Sequence, residues 1–294
     1  EQDRGRRGEH RAHRIGTSLE RVDGWFGHGA IVALPAVAFP VRRRPDGLRA
    51  ARRTARRATR RTAETTAAGR DEAGRDETWQ PVEVPRFEPF RALRYAQRLP
   101  LDDVTAPPYD VLSDDDVDAL VARHDHNIVT IDVPRPDDDP DRYAHAGVAL
   151  AAWERDGVIE RDATDTFTLY RMRFTTEDGR TRETVGVIGA LEVVDEGAEG
   201  VLPHERTTPK AKTDRLDLTR ATEANLSPVW GLSLTAGLTD VLRDGAESVG
   251  RCTDEHGVVH EVERVSDPDR VAAIREAVSS SPVLIADGHH RYAI

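Results

Sequence analysis

The block Asp287-Gly288-His289-His290-Arg291-Tyr292 follows directly on Pro282–Ala286, a short run that is apolar throughout. A run of that kind suits a buried central strand, so the block is expected to make the turn from strand to helix. Glycine at such a turn lets the backbone approach a ligand closely. The first N–H groups of the following helix are unpaired and lie at the positive end of its dipole, where an anion is stabilised. Gly288, His289, His290 and Arg291 are therefore candidate phosphate contacts, with Arg291 a forked donor. Asp287, just before the turn, could orient a Mg2+ ion or accept a hydroxyl proton.

The stretch Pro203–Arg215 gathers His204, Arg206, Lys210, Lys212 and Arg215 within acidic surroundings. The chain contains two lysines, 210 and 212, and uses arginine everywhere else. Lysine differs from arginine at a phosphate site because it is a compact charge on a flexible stem. His204, Arg206, Lys210 and Lys212 therefore form a candidate second phosphate contact, and Glu205 a candidate general base. The plainer alternative is a solvated basic loop that leads into a helix at Thr213. No metal centre is expected at the two blocks, since adjacent His289 and His290 diverge on a helix, whereas zinc sites favour spacings such as His-x-x-x-His. The sequence has neither a Gly-x-x-x-x-Gly-Lys-Ser/Thr loop nor a Gly-x-Gly-x-x-Gly fingerprint. P-loop and dinucleotide-fold mechanisms thus have no support.

The elements that must position these residues lie in the last two thirds of the chain. Residues 1–80 carry 18 Arg against 11 acidic residues, a net of +7, while the whole 294-residue chain stands at −11. The remainder is thus strongly acidic, which disfavours nucleic acid as a partner. Arg49–Arg61 could form a basic helix, but residues 1–80 lack sustained periodicity and read as a disordered basic tail or spurious upstream translation. The longest apolar run, Gly29–Pro40, is broken by Pro35 and too short for a bilayer. With a single cysteine, Cys252, an internal disulfide is impossible, and a cytoplasmic location is expected.

From Pro85 onward the pattern alternates between strand and helix signals. Phe87, Phe90, Leu93 and Tyr95 suggest short strands or turns, and Ser113 should cap a helix reaching Arg123. Asn127–Val133 alternates like a strand. Asp141–Asp156 places Tyr143, Ala146, Leu150 and Trp153 on one helical stripe, ended by Gly157. Thr166–Phe174 and Thr181–Val194 should pair as a hairpin around Gly179. Ser227–Thr235 and Val258–Val265 are strand candidates, and Asp267-Pro268 should start a helix running to Val278. Strands and helices mix without strict alternation, which predicts an α+β fold.

Five ordered blocks give the chain a family resemblance: Phe87-Glu-Pro-Phe-Arg-Ala-Leu-Arg, Ala106-Pro-Pro-Tyr-Asp-Val, Leu202-Pro-His-Glu-Arg-Thr, Lys210-Ala-Lys-Thr-Asp-Arg-Leu and Asp287-Gly-His-His-Arg-Tyr. Over residues 85–294 the sequence resembles the bacterial and archaeal family called domain of unknown function 1015. The last block is also similar to the phosphate turn of sulfiredoxin, of ParB-type nucleotidases and of ParB-like free serine kinases. That similarity implies a ParB/sulfiredoxin-like mixed core over residues 81–294. Residues 133–281 would be an inserted subdomain, and 282–294 the start of a phosphate-binding strand, turn and helix. It implies ATP or ADP with Mg2+ as cofactor and a small hydroxylated metabolite, serine-like, as acceptor. The family resemblance also implies a further C-terminal region. A helix that stops within a turn, at Ile294, is expected to fray and leave the chain as given with little activity. Three functions stay open: a small-molecule kinase, a nucleotide-gated ParB-like binding module, and a structural domain without ligand.

Overall fold

The computed structural model describes residues 31–32, 84–136, 139–195, 199–205 and 209–294, with only the backbone described for 31–32 and 209–212. Of the stretch expected to be a basic tail, all but Ile31 and Val32 lies outside the described residues. The helices and strands form a mixed α+β structure, and no helix among the described residues is long and apolar enough to cross a membrane.

In chain order the strands are β1 (Ile31–Val32), β2 (Phe87–Glu88), β3 (Leu93–Tyr95), β4 (Ile159–Arg161), β5 (Phe167–Thr175), β6 (Thr181–Ile188), β7 (Ala190–Leu191), β8 (Val201–Leu202), β9 (Trp230–Ser233), β10 (Glu247–Thr253), β11 (Val259–Val265) and β12 (Val283–Asp287). The helices are α1 (Leu101–Val104), α2 (Asp114–Arg123), α3 (Val129–Asp132), α4 (Arg142–Arg155), α5 (Pro209–Thr222), α6 (Leu238–Arg243), α7 (Pro268–Val278) and α8 (His289–Tyr292). The main sheet has the order β10-β11-β5-β6-β1-β9-β12-β8, and β2-β7 and β3-β4 form two small antiparallel ribbons.

Two packing centres hold the elements together. On one face of the main sheet, Phe167, Leu169, Val187, Val265 and Val283 meet Leu238 and Leu242 of α6 and Ile274 and Val278 of α7. Phe87 closes this core with its ring stacked on Phe167, centroids 5.1 Å apart. The second centre is largely helical: Ala146, Leu150 and Trp153 of α4 pack on Leu218 of α5, Ile131 of α3 and Leu93 of β3. Gly147 permits that approach, because a Cβ there would run into the backbone of Ala221 on α5. Burying a large aliphatic or aromatic side chain contributes about 1.5–3 kcal/mol, so these two centres rather than local propensity fix where α5 and β12 lie.

Most boundaries follow local chemistry. Ser113 and Asp116 form a reciprocal capping box at the start of α2, and the Asp267 side chain accepts from the Arg270 amide at the start of α7. The α4 stripe and the β5–β6 hairpin form as expected, with Thr175 opposite Thr181, but the second strand ends at Ile188 rather than Val194, and Ala190–Leu191 turns away to pair with β2. Asn127–Val133 does not form a strand but becomes α3. The Asn127 side chain accepts from the Val129 amide and donates to the carbonyls of Asp103 and Thr105, so a tertiary contact starts a helical turn where the sequence alternates. Pro209–Thr222 is helical from its first residue, so Lys210 and Lys212 belong to a helix start rather than a loop. The apolar run before Asp287 is not central: β12 lies one strand from the sheet edge, with Val283 and Ile285 buried and their neighbours partly exposed.

Candidate functional site

β8 and β12 are neighbours and run parallel, Val201 opposite Val283 and Leu202 opposite Leu284. Parallel strands deliver their following segments to the same end of the sheet. The chain therefore leaves β8 through His204 and Glu205 toward α5, and leaves β12 through Gly288 into α8, at one corner. The carboxyl ends of parallel strands are a recurrent place for ligands, because the connecting turns open a crevice there. This pairing unites two blocks more than 80 residues apart in sequence.

Gly288 adopts φ of 87°, in the left-handed region where a side chain is strained. Its missing Cβ also matters locally, since a Cβ would lie 3.1 Å from Arg291 Nε and 3.2 Å from Cζ. The Arg291 guanidinium folds back over the turn. Its Nη2 donates to Asp287 Oδ2 at 2.7 Å, and Nη1 donates to the Pro228 carbonyl. Arg291 thus stands at the expected turn, held by its own strand end, with part of its five-donor fork still uncommitted to those two contacts. Asp287 is more than half exposed.

His289 points inward and is buried. Its ring meets His204 edge-on with centroids 4.5 Å apart, and the His204 backbone N–H donates to His289 Nε2 at 3.3 Å. Glu205 approaches both rings: Oε2 lies 3.6 Å from His289 Nδ1, and Oε1 lies 3.8 Å from His204 Nε2. Burial, and then the neighbouring His204, push the His289 imidazole below its ordinary range, so it is neutral at neutral pH. The structure therefore brings together Asp287, Gly288, His289, Arg291, His204 and Glu205. His290 sits on α8 beside them and is partly exposed. Lys210 and Lys212 enter only as positions on the first turn of α5, and Arg206 lies outside the described residues.

Beside this corner is a polar group that sequence reasoning passed over. Asp132, at the end of α3, is buried; its Oδ1 accepts from Arg215 Nη1 at 3.1 Å, and both its oxygens accept from Ser227 Oγ at 3.2 Å. Arg215 also donates to the Asp132 carbonyl at 3.0 Å and to Asp214 Oδ2 at 2.8 Å, and its guanidinium lies 4.0 Å over the Tyr109 ring. Burial raises the Asp132 carboxyl above its ordinary value, although Arg215, Ser227 and Arg291 all oppose the rise. Burial also raises Tyr109, again against Arg215 and Arg291. Burial works against ionisation of Asp214 too, but the Tyr143 hydroxyl and Arg215 outweigh it and hold that carboxyl low. A small open cleft is lined by Asp132, Arg215, Ser227 and Arg291 together with the apolar Leu218, Leu226 and Ile294. Titratable groups displaced from their ordinary values in a cleft are a common mark of function. Tyr109 and Arg215 lie within two of the five blocks that carry the family resemblance, which was the available signal; nothing local marked Asp132 or Ser227.

The chain is thus a mixed α+β structure with a cluster of polar side chains at the carboxyl ends of β8 and β12 and a small cleft beside it. The chain belongs to the family described as Protein of unknown function (DUF1015), whose match runs over residues 87–294. No curated protein and no solved structure matches the chain.

Proposed function

We propose that this corner binds the phosphates of a nucleotide, and that the protein transfers a phosphoryl group to a small hydroxylated metabolite of the serine type. The observation that carries the reading is the convergence of Leu202–Glu205 with Asp287–Tyr292 at the carboxyl ends of β8 and β12. The first turn of α5 supports it independently. That turn contains Lys210 and Lys212 and no acidic residue, the reverse of what stabilises a helix N-terminus. An anion bound there would offset the mismatch.

In this reading the amides of Gly288, His289 and His290, with Arg291, hold phosphate, His204 offers a ring nitrogen to it, and Arg206, Lys210 and Lys212 add positive charge. ATP or ADP with Mg2+ fits the donor set, because the exposed Asp287 carboxylate can face a hydroxyl or the nucleotide's Mg2+ beside its bond to Arg291. Glu205 is the nearest carboxylate to serve as general base. Phosphoryl transfer needs mostly positioning and charge stabilisation, so a few donors suffice. The strand, left-handed glycine and helix also support reading the core as ParB/sulfiredoxin-like.

The test is turnover of ATP and ADP, with and without serine and related alcohols, by the protein and by Arg291→Ala. Substrate-dependent turnover that falls in Arg291→Ala is the expected result. Equal turnover in both would remove the mechanism. A melting temperature unmoved by millimolar nucleotide would remove the ligand, since any ligand of the folded state stabilises it.

A further inference from the structure

We propose that His204, Glu205 and His289 bind one divalent transition-metal ion of the Zn2+ type, leaving a coordination position open. The three residues offer two imidazole nitrogens and a carboxylate oxygen, all within 4.8 Å of one another. Two imidazoles and a carboxylate are a recurrent protein set for a metal that keeps a fourth place for water or substrate. The set was invisible as a spacing because it is not one: His204 and Glu205 leave β8, whereas His289 opens α8, and only the parallel pairing of β8 with β12 joins them.

The separations favour an ion over a hydrogen-bonded cluster. Glu205 lies 3.6 Å from His289 Nδ1 and 3.8 Å from His204 Nε2. Both contacts are too long for hydrogen bonds, so the carboxylate faces two rings and bonds to neither. Ligands at ~2.0–2.2 Å around a tetrahedral ion stand roughly 3.3 Å apart. The two carboxylate contacts need to close by about half an ångström to reach that figure, and the widest separation in the cluster, up to 4.8 Å, by roughly 1.5 Å. His289 is anchored by burial, whereas the side chains of His204, about half exposed, and Glu205, more than half exposed, have room to swing inward.

The hydrogen bond from the His204 amide to His289 Nε2 places the ring proton on Nδ1, toward Glu205. A metal at Nδ1 requires that proton to move to Nε2, and the amide contact is then given up. At 3.3 Å that bond is long, but giving it up sets the Nε2–H of a buried ring against the His204 N–H, a cost that the three metal–ligand bonds must exceed. Cys252 is on β10, so it offers no thiolate to this cluster.

The inference goes beyond the phosphate reading and does not rest on it, so the test is run without nucleotide or phosphate. The protein is stripped with chelator and titrated with Co2+, reading the visible absorption of a low-coordinate site, and Zn2+ is then used to displace it. One equivalent should bind, and Glu205→Gln and His204→Ala should each weaken binding at least ~10-fold. His145→Ala, at an exposed histidine elsewhere, should leave the titration unchanged. His289→Ala serves only if its far-ultraviolet spectrum is native, because that ring is buried. Absence of a saturable site would overturn the proposal. So would equal binding by wild type and Glu205→Gln/His204→Ala, whatever the outcome of nucleotide turnover.

Discussion

Replacing Arg215 by methionine keeps the bulk of the side chain and removes its charge from a place with little solvent. The Arg215 and Asp132 side chains are only 9% and 11% exposed, so screening is weak and loss of one partner leaves the other charged and buried. Breaking such a pair from one side costs about 3–5 kcal/mol. Protonation sets a ceiling on the charge part. At pH 7 the Asp132 carboxyl can cost no more than taking up a proton, which from its ordinary value of 3.8 amounts to roughly 4 kcal/mol at 1.36 kcal/mol per pH unit. With a urea m-value of about 2–3 kcal/mol/M, the unfolding midpoint should fall by roughly 1–2.5 M. Asp132→Asn on the Arg215→Met background removes the stranded charge and should recover more than half of the loss. The pH dependence has a definite sign. Asp132 is raised in the folded state, so its contribution is most favourable when protonated and is lost as pH rises through the raised value. Without Arg215 the rise is larger, so the deficit of Arg215→Met should be smallest below the ordinary value of 3.8 and grow toward neutrality. Urea titrations followed by tryptophan fluorescence at several pH values provide the measurement. A loss under about 1 kcal/mol, a deficit independent of pH, or a double variant no better than the single would refute the reasoning.

Two further changes test the corner itself. Gly288→Ala forces a side chain into the left-handed region at about 1–2 kcal/mol, partly offset by a stiffer unfolded chain, and pushes on the Arg291 guanidinium. A net destabilisation near 1 kcal/mol in urea, with loss of nucleotide-induced thermal shift, is expected; an unchanged shift would show that the turn does not hold the ligand. Lys210→Glu/Lys212→Glu should raise the melting temperature in the absence of ligand, because acidic residues suit the first turn of α5 by about 0.3–1 kcal/mol each. The same variant should lose the thermal shift with ADP, and a retained shift would exclude these lysines from the anion site.

The legible parts of this fold are those whose cause is local. Ser113 as a cap, Asp267 with Pro268, and the apolar stripe from Tyr143 to Trp153 each contain their own explanation within one or two helical turns, and each formed as read. Asn127–Val133 shows the limit: Ile128, Val129, Ile131 and Val133 satisfy a strand pattern and a short helix about equally. The choice was made by Asn127 reaching carbonyls more than 20 residues away. The candidate site divides in the same way. Gly288, Arg291, His204 and Glu205 announced themselves by residue type, but their meeting depends on β8, a two-residue strand with no periodicity to detect. Asp132 and Arg215 are 83 positions apart, and a buried pair of that separation leaves no pattern in either segment.

The corner is also built to be adjustable. β8 has two residues and α8 one turn, and neither could persist without neighbours. Their positions are imposed by β12, whose Val283 is locked into the main core, and by α5, whose Leu218 packs beneath α4. α8 then stands between two polar groups: His289 faces His204 and Glu205, while Arg291 joins Asp287 and Pro228 and acts on Asp132 and Tyr109. A ligand that draws on Arg291 must therefore perturb the turn that carries His289, and an ion held by His289 must limit where Arg291 can reach. Binding at one group should change affinity at the other by the same factor in both directions, since equilibrium coupling is reciprocal. Zn2+ affinity measured with and without ADP, set against ADP affinity with and without Zn2+, tests this. Two independent affinities would show that α8 does not connect the groups.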